Sequence, residues 1–335
     1  MSVHDHCVMV DQFGIPSEMV FVKAFYMDDV IAGATHRPHP AFVADGAELD
    51  GIYISKYQNV VMNGLACSIS GVDPATNINF DEAQKACSMK GSGWHLMTAL
   101  EWGGIALWCQ KNKFFPYGNN DMGKDVREED YVAKVSYVDK EKKICRVATG
   151  TGPNRWSHNG RSDGIYDLNG NVWEWNGGIR LFFGELQIMP YHSDGWRAID
   201  GMTGELIVPN GRGTTPNSIK LEFMNQTWQY VTKREISLID HFQACRFCDI
   251  TAHDSICSKA VEWLYALGCL PASSCGEELN VSFYANNGAS ERMLFRGGRF
   301  GLGRESGLFK SCFDDGRSYS GSAVGFRSAY ICKNE

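Results

Sequence analysis

Cysteine and histidine side chains are grouped in one segment near residue 250, where their spacing could hold a metal ion. Cys245 and Cys248 are the only cysteines of the chain that stand three positions apart, and His253 and Cys257 follow them. Zinc sites in proteins use four cysteine or histidine ligands, usually as two closely spaced pairs. The sequence leaves open either such a site or a set of buried thiols, of which one or two pairs form disulfides.

A second group of chemically capable side chains lies in residues 163–175, which read DGIYDLNGNVWEW. Carboxylates stand on either side of Asn169-Gly-Asn171, a sequence that is typical of a tight turn. Trp173 and Trp175 alternate, so in an extended segment both side chains point to the same face. We therefore predict a turn followed by a strand whose tryptophans anchor the core.

Composition and charge narrow the kinds of partner. The net charge is -7 and the chain has no run of basic residues, which disfavours nucleic acid because duplex binding relies on clustered Lys and Arg. No stretch approaches the roughly 18 apolar residues of a membrane span, which argues against direct membrane insertion. Residues 1–10 lack the basic start and apolar core of a signal peptide. We predict a product made in the cytoplasm, which reaches a virion or a cell surface by another route.

The elements that would position these groups are few helices and many short strands. Apolar residues at helical spacing predict helices over residues 80–89 and 254–268. Thr98-Ala-Leu-Glu101 is a capping box that begins a further helix. Residues 51–57 alternate as a strand does. This pattern predicts an α+β fold rather than alternating βαβ units.

Several segments, in the same order along the chain, resemble the formylglycine-generating-enzyme family. Residues 163–175 are similar to its G-L-x-D-x-x-G-N-V-x-E-W signature, and residues 94–102 to its R-L-P-T-E-A-E-W helix start. Residues 296–300 and 325–327 resemble its terminal R-G-G-S-W and G-F-R elements, and residues 19–22 resemble its opening strand. The resemblance implies the C-type lectin fold of this family, with many short strands and few helices.

In the enzyme family the turn that matches residues 167–174 can hold calcium. The corresponding oxygen atoms here are the carboxylates of Asp167 and Glu174 and the carbonyls of Gly170 and Val172, which are ligands that suit Ca²⁺. The alternative is that the two carboxylates only accept hydrogen bonds from turn amides. No other cofactor is implied.

The same resemblance argues against catalysis. Formylglycine generation relies on two copper-binding cysteines shortly after R-G-G-S-W. The matching positions here are Leu302 and Gly307, which cannot supply thiolates, and Cys312 is nearby but alone. Ergothioneine-type sulfoxide synthases hold iron with three histidines of an added N-terminal helical domain, which we do not find around the histidines at positions 4, 6, 36 and 39. We therefore predict that the protein is not an enzyme.

Residues 296–331 resemble the variable region of proteins diversified by diversity-generating retroelements, whose typical pattern is RGGSWNNGxNAGxFxxxLNNxRSxSxxxIGFRxA. The frame of that pattern is retained at Arg296, Gly297, Gly298, Gly303, Gly307, Phe309, Phe313, Arg317, Ser318, Ser320, Gly325, Phe326 and Arg327. The positions between them hold assorted residues, as adenine-directed mutagenesis would leave them. These variable positions are Arg299, Gly301, Leu302, Arg304, Glu305, Lys310, Cys312, Asp314, Asp315, Tyr319, Gly321 and Ala323.

The resemblance implies a binding protein whose frame residues fix the fold while the variable side chains project from a rigid surface. Such a surface suits a protein or glycan target on a cell surface, since Tyr and Arg often carry the energy of protein interfaces. We predict an N-terminal segment over residues 1–45 and one C-type lectin-like domain over residues 46–335. That domain contains an insertion at about 178–292 and a variable region at about 296–327.

The alternatives to a diversified binding surface are an ordinary polar loop face, a formylglycine-generating-enzyme-like oxidoreductase, and a fixed structural component of a phage particle. The oligomeric state stays open.

Overall fold

The computed structural model of the protein describes residues 5–191 and 193–332, so the histidine at position 4 lies outside the described residues. Within that part of the chain there are four α-helices and twenty-three strands, most of them short. The helices are α1 Met27–Val30, α2 Phe80–Ser88, α3 Ala99–Lys111 and α4 Ser258–Ala266. The strands are β1 Asp5–Val10, β2 Pro16–Lys23, β3 Val43–Ala44, β4 Ala47–Glu48, β5 Gly51–Ser55, β6 Val60–Met62, β7 Leu65–Cys67, β8 Trp94–Leu96, β9 Val135–Val138, β10 Ile144–Val147, β11 Trp173–Phe182, β12 Glu185–Ile188, β13 Arg197–Ile199, β14 Leu206–Ile207, β15 Lys220–Met224, β16 Thr227–Val231, β17 Gln243–Arg246, β18 Thr251–Ala252, β19 Ser282–Ala285, β20 Arg292–Gly297, β21 Gly307–Phe313, β22 Val324–Phe326 and β23 Ser328–Tyr330.

Two sheets carry the fold. Among the described residues, the smaller sheet has five strands in the order β1-β2-β5-β23-β8. The larger has twelve, along the path β17-β19-β21-β20-β11-β12-β15-β16-β18, with β13, β14 and β22 joined at its sides. Strand β11 is central, because it pairs antiparallel with β12 and β20 and parallel with β22. This arrangement confirms the predicted α+β class with few helices and many short strands.

The segment that was predicted to precede the lectin-like domain, residues 1–45, supplies two strands of the smaller sheet. Strand β2 lies between β1 and β5, with Met19 opposite Ser55 and Val20 opposite Ile54. Met19 and Val20 are consecutive, point to opposite faces, and are both fully buried. The strand is therefore covered on both sides. Strand β23, from the other end of the described chain, also pairs with β5.

Two of the predicted helices begin where their capping residues place them. Helix α2 follows Asn79, and α3 follows Thr98, whose hydroxyl accepts from the Glu101 N–H at 3.2 Å while the Glu101 carboxylate accepts from the Thr98 N–H at 2.7 Å. The predicted start of the third helix at Asp254 is wrong. Residues 253–256 form a turn instead, and α4 begins at Ser258.

The insertion at residues 178–292 is part of the main core. It supplies strands β12 to β19 of the larger sheet, and its Trp228 and Phe247 are fully buried. Helix α4 packs closely on α3 at Gly103, where an added Cβ would lie only 2.1 Å from the carbonyl oxygen of Ala266. Through β19, which pairs with β21, the insertion supports one of the strands from which the variable loops extend.

Candidate functional site

The R-G-G segment at the start of the variable region ties the larger sheet to helix α4. The buried Arg296 guanidinium donates to the carbonyl oxygens of Gly268 at 3.0 Å and Leu267 at 2.7 Å. These carbonyls are left without helical partners where α4 ends. Gly297 has a φ of +88°, and a Cβ there would lie 3.0 Å from the carbonyl oxygen of Leu168. Both residues therefore serve the frame and not a ligand.

Arg327 of the G-F-R element forms a buried ion pair with Glu174 of strand β11. Its Nε donates to Glu174 Oε2 at 2.6 Å and its Nη2 to Oε1 at 2.7 Å. The same guanidinium donates to the carbonyl oxygens of Ser55 and Tyr166, each at 3.0 Å. Two parallel bonds between planar groups make a strong and geometrically specific contact. This pair fixes strand β22 against β11 beneath the variable region.

Three of the four oxygen ligands predicted for calcium converge on the side-chain amide of Gln58. Its Nε2 lies 3.3 Å from the carbonyl oxygen of Gly170, 3.1 Å from that of Val172 and 3.0 Å from Glu174 Oε1. The carbonyl oxygen of Asp167 lies at 3.1 Å. Gln58 is fully buried, so its nitrogen stands where a cation bound by these oxygens would stand.

A chain of amides fixes the orientation of Gln58. The backbone N–H of Val147 can only donate, and it donates to Asn171 Oδ1 at 3.0 Å. The Nδ2 of Asn171 therefore faces Gln58 Oε1, at 2.9 Å, and the Gln58 nitrogen faces the turn oxygens. These residues do not fit a calcium ion, because a hydrogen-bond donor takes the central position. The alternative, that the carboxylates accept from turn amides, does not describe Glu174 either, because its donors are the side chains of Gln58 and Arg327.

The carboxylate of Asp167 does not bond to Gln58. Its Oδ2 accepts from the Gly150 N–H at 2.9 Å, while its Oδ1 is buried and has no hydrogen-bond partner among the described residues. Burial raises the pKa of this carboxyl to about 6. Within residues 5–191 and 193–332, no group of three or more His, Cys, Asp or Glu side chains is arranged to hold a metal.

The zinc alternative for the Cys-x-x-Cys segment is wrong. Cys248 is joined by a disulfide to Cys275, which lies in the loop after α4. Cys245 is a partly buried free thiol in strand β17, and the Nδ1 of His253 contacts the hydroxyl of Ser255 at 2.9 Å. Of the suggested ligands, Cys248 is thus taken by the disulfide, whereas Cys245 and Cys257 are free thiols.

Variable residues from three segments meet at one pocket of about 670 Å³. The segments are the loop after β20, the end of β21 and the loop before β22. Within the described chain, seven of the twelve variable positions line this pocket: Arg299, Cys312, Asp314, Asp315, Tyr319, Gly321 and Ala323. Its volume is within the range of about 300–1,000 Å³ that is common for ligand sites.

The floor of the pocket is aromatic, and strand register explains why. Tyr284 of β19 is paired with Cys312 of β21, which is paired with Phe295 of β20. Directly paired residues in neighbouring strands point to the same face, so these three side chains form a row. The rings of Trp173 and Tyr319 pack on Phe295, with centroids 5.2 Å and 6.2 Å from it.

Two adjacent carboxylates, Asp314 and Asp315, add negative charge to this aromatic surface. Both are half-buried. Burial raises the pKa of Asp314, and burial together with the neighbouring Asp314 raises the pKa of Asp315 to about 6, although Arg292 acts in the opposite direction on both. The Arg299 guanidinium donates to the carbonyl oxygen of Phe300 at 2.9 Å and lies over its ring.

The other five variable positions, Gly301, Leu302, Arg304, Glu305 and Lys310, do not line this pocket. Arg304 and Glu305 are exposed. Lys310 does not project from the surface as predicted, because β21 runs between β19 and β20. The Lys310 ammonium is fully buried, 3.4 Å from the Glu305 carboxylate and over the Tyr284 ring. Burial lowers the pKa of Lys310 to about 8. Leu302 packs against the apolar cluster that contains Phe295.

Sequence reasoning missed the aromatic residues outside the variable region. Phe242 and Tyr284 come from the insertion, and Trp173 was predicted only as a core residue. The alternation of residues 282–285 would have suggested that Tyr284 faces away from the buried Phe283. Nothing in the sequence shows that this face borders the variable positions.

A model of the sulfatase-modifying factor enzyme 1-like domain matches residues 5–181, which is more than half of the chain. The chain belongs to this family. The family match begins inside the segment 1–45 and includes the turn and strand that carry Glu174. It confirms the fold predicted from the motifs, the formylglycine-generating-enzyme type of the C-type lectin fold.

Three solved structures are similar over nearly the whole chain. PvdO from Pseudomonas aeruginosa is 15% identical, with a TM-score of 0.42, and the match covers 98% of this chain and 99% of that one. Treponema denticola variable protein 1 is 12% identical, with a TM-score of 0.33, covering 97% and 98%. The U1 variant of the Major Tropism Determinant is 9% identical, with a TM-score of 0.33, covering 97% and 71%. Similarity at this level transfers no function.

No curated protein matches the chain. Among the helices of the described residues, none is both long and apolar enough to cross a membrane.

Proposed function

We propose that the protein binds a ligand without catalysis, and that the pocket of the variable region is its recognition site. The observation that carries this proposal is the convergence of seven variable positions, drawn from three segments between residues 299 and 323, on one aromatic pocket. An ordinary polar loop face would have no reason to collect these positions over exposed rings. The resemblance of residues 296–331 to retroelement-diversified regions explains why the positions hold assorted residues.

The frame around the pocket is suited to display. Arg296 caps helix α4 and Arg327 is paired with Glu174, so these two frame residues make internal contacts and do not face a ligand. A rigid support lowers the entropy that is lost when side chains are ordered on binding. Variation at the pocket can then change the ligand without changing the fold.

The target that fits this role is a protein or a glycan on a cell surface. The protein itself would be carried on a phage particle or on a cell. We expect no cofactor, and the bonds of three of the four predicted calcium ligands to Gln58 support this expectation. Nucleic acid is not expected, given the net charge of -7.

Membership of the enzyme family makes oxidation of a peptide cysteine the second candidate. Leu302 and Gly307 stand where that chemistry needs cysteines, and Cys312 is buried and lies apart in strand β21. Incubation of the purified protein with copper and a cysteine-containing sulfatase peptide should give no formylglycine by mass spectrometry. Aldehyde formation at a rate proportional to protein concentration would establish the enzyme.

Sequencing of codons 296–327 across a population of the source organism or phage tests the proposed function. The search includes nearby DNA that could hold a near-copy of this segment. We expect differences at adenines of the near-copy, falling in codons for the variable positions and sparing those for Arg296, Gly297 and Arg327. Codons 80–111, which encode α2 and α3, are a control of equal length and should show no excess of adenine changes.

An invariant segment without a near-copy would contradict diversification. It would favour a fixed structural component of a particle or a binding protein with one fixed ligand.

A further inference from the structure

The two pocket carboxylates differ from other carboxylates of the variable region and its supports. Glu291 accepts from both Arg180 and Arg317, and Glu305 accepts from the hydroxyl of Ser282. Across residues 5–191 and 193–332, no hydrogen-bond donor and no ion-pair partner reaches the carboxylate of Asp314 or Asp315. Their charge is therefore directed into the pocket without a partner of its own.

The nearby cations are engaged elsewhere. Arg292 acts on both carboxylates only through space, and its Nη1 donates to the carbonyl oxygen of Glu291 at 3.1 Å. Arg299 donates to the carbonyl oxygen of Phe300, and Lys310 lies within 3.4 Å of Glu305. Arg292 reduces the negative potential but does not saturate the carboxylate oxygens. Donors from a ligand would find free acceptors.

Aromatic faces stand beside these acceptors. Tyr319 is 41% exposed and Phe242 is 54% exposed, so two rings of the pocket offer their faces to a ligand. The negative face of an aromatic ring attracts a cation, and guanidinium groups also stack on rings. Phe242 and Tyr284 meet edge to face, which closes one side of the pocket.

We infer that the pocket takes up a basic side chain, the ammonium of a lysine or the guanidinium of an arginine, from a protein target. The inference rests on the proposed function and gives the chemical class of its ligand. Charge complementarity carries it: unpartnered carboxylates supply acceptors, and exposed rings supply faces for the cation and its alkyl stem. An anionic group would meet two carboxylates, and a neutral sugar would leave their charge uncompensated.

Saturation-transfer NMR with small probes at neutral pH tests this ligand class. The probes are Nα-acetyl-L-arginine amide and Nα-acetyl-L-lysine amide. Nα-acetyl-L-norleucine amide, which has an uncharged alkyl side chain, and Nα-acetyl-L-glutamate are the controls. We expect a transfer signal from at least one basic probe and none from the glutamate. Titration should show that this basic probe binds at least tenfold more tightly than norleucine amide. Equal transfer to norleucine amide, or transfer to neutral methyl glycosides instead, would overturn the inference.

Substitution locates the site. Asp314→Asn and Asp315→Asn, singly and together, keep the side-chain size. They should lower the affinity for the basic probe about tenfold or more. Glu141→Gln, at an exposed carboxylate outside the pocket, is the matched control and should leave binding unchanged. The amide variants should unfold no more easily than the parent, because they remove charges that lack partners. Unchanged probe binding in folded Asp314→Asn/Asp315→Asn protein would reject the site.

The two proposals fail separately. If no basic probe binds but the population shows adenine-directed variation, the inference of a basic ligand is rejected and the proposal of a diversified binding surface stands. Specific binding of a basic probe with an invariant gene segment would keep the cation pocket and remove diversification.

Discussion

Glu174 lies in strand β11 of the larger sheet and the Asp314-Asp315 pair directly follows β21 of the same sheet, but the two groups of carboxylates differ in their bonding. Glu174 receives two bonds from Arg327 and one from Gln58, and it is almost completely buried. The two aspartates are half-buried and receive no bond from any described residue. A fully bonded carboxylate fixes strands in place, whereas an unbonded one has capacity left for a ligand. The difference separates the frame of the variable region from its display surface.

The largest effect should come from removing the cation of the frame. Arg327→Ala leaves Glu174 charged and buried with only Gln58 as a partner, and breaking such a pair typically costs about 3–5 kcal/mol. The free energy of unfolding, from urea titration, should fall by that amount. Arg304→Ala, at an exposed variable position, should change it by no more than about 0.5 kcal/mol. Equal effects of the two substitutions would show that frame and display positions are not distinct.

Gln58→Ala should lower the free energy of unfolding by a smaller amount. The Gln58 amide has two N–H groups to share among oxygens of residues 167, 170, 172 and 174, so its removal should cost about 1–3 kcal/mol in total. Calcium and EDTA should leave the melting temperature of the parent protein unchanged. A rise in the parent's melting temperature with calcium would show that the ion displaces the amide.

The smallest effect should have the opposite sign. Asp315 has a pKa of about 6 in the folded protein, above its ordinary value near 3.9, so its ionisation opposes folding. Stability from this group is present below about pH 4 and is lost as the pH rises through 6. Because this carboxylate is nearly half exposed and solvent screens it, Asp315→Asn should raise the free energy of unfolding by only about 1 kcal/mol or less at pH 7, and by close to nothing at pH 3. A destabilised variant at pH 7 would mean that Asp315 has a partner within the fold.

Features governed by local rules could be predicted from the sequence. The capping box of Thr98 and Glu101 placed helix α3, and the tight turn at Asn169-Gly-Asn171 placed strand β11. The start of α4 was missed because Asp254 is an acceptable capping residue that the chain uses in a turn instead. Local propensity does not decide between these two uses.

Features that depend on strand pairing could not be predicted. Lys310 looks like a surface residue until β19 is found beside β21, and Tyr284 looks like part of an insertion until the same pairing brings it to the pocket. The partner of Cys248 could not be chosen among twelve cysteines by spacing alone. Gln58 precedes the turn that it holds by more than one hundred positions, so no local pattern connects them.

The separation of frame from display surface is tested most directly by measuring the stability of every single substitution at residues 296–327. Protease resistance of a displayed library gives this quantity for all variants together. We expect most substitutions of Arg296, Gly297 and Arg327 to abolish resistance, while most at Asp314, Asp315 and Tyr319 leave it near that of the parent. If the pocket positions proved as intolerant as the frame positions, the pocket would be part of the fold's core and not a surface built to vary.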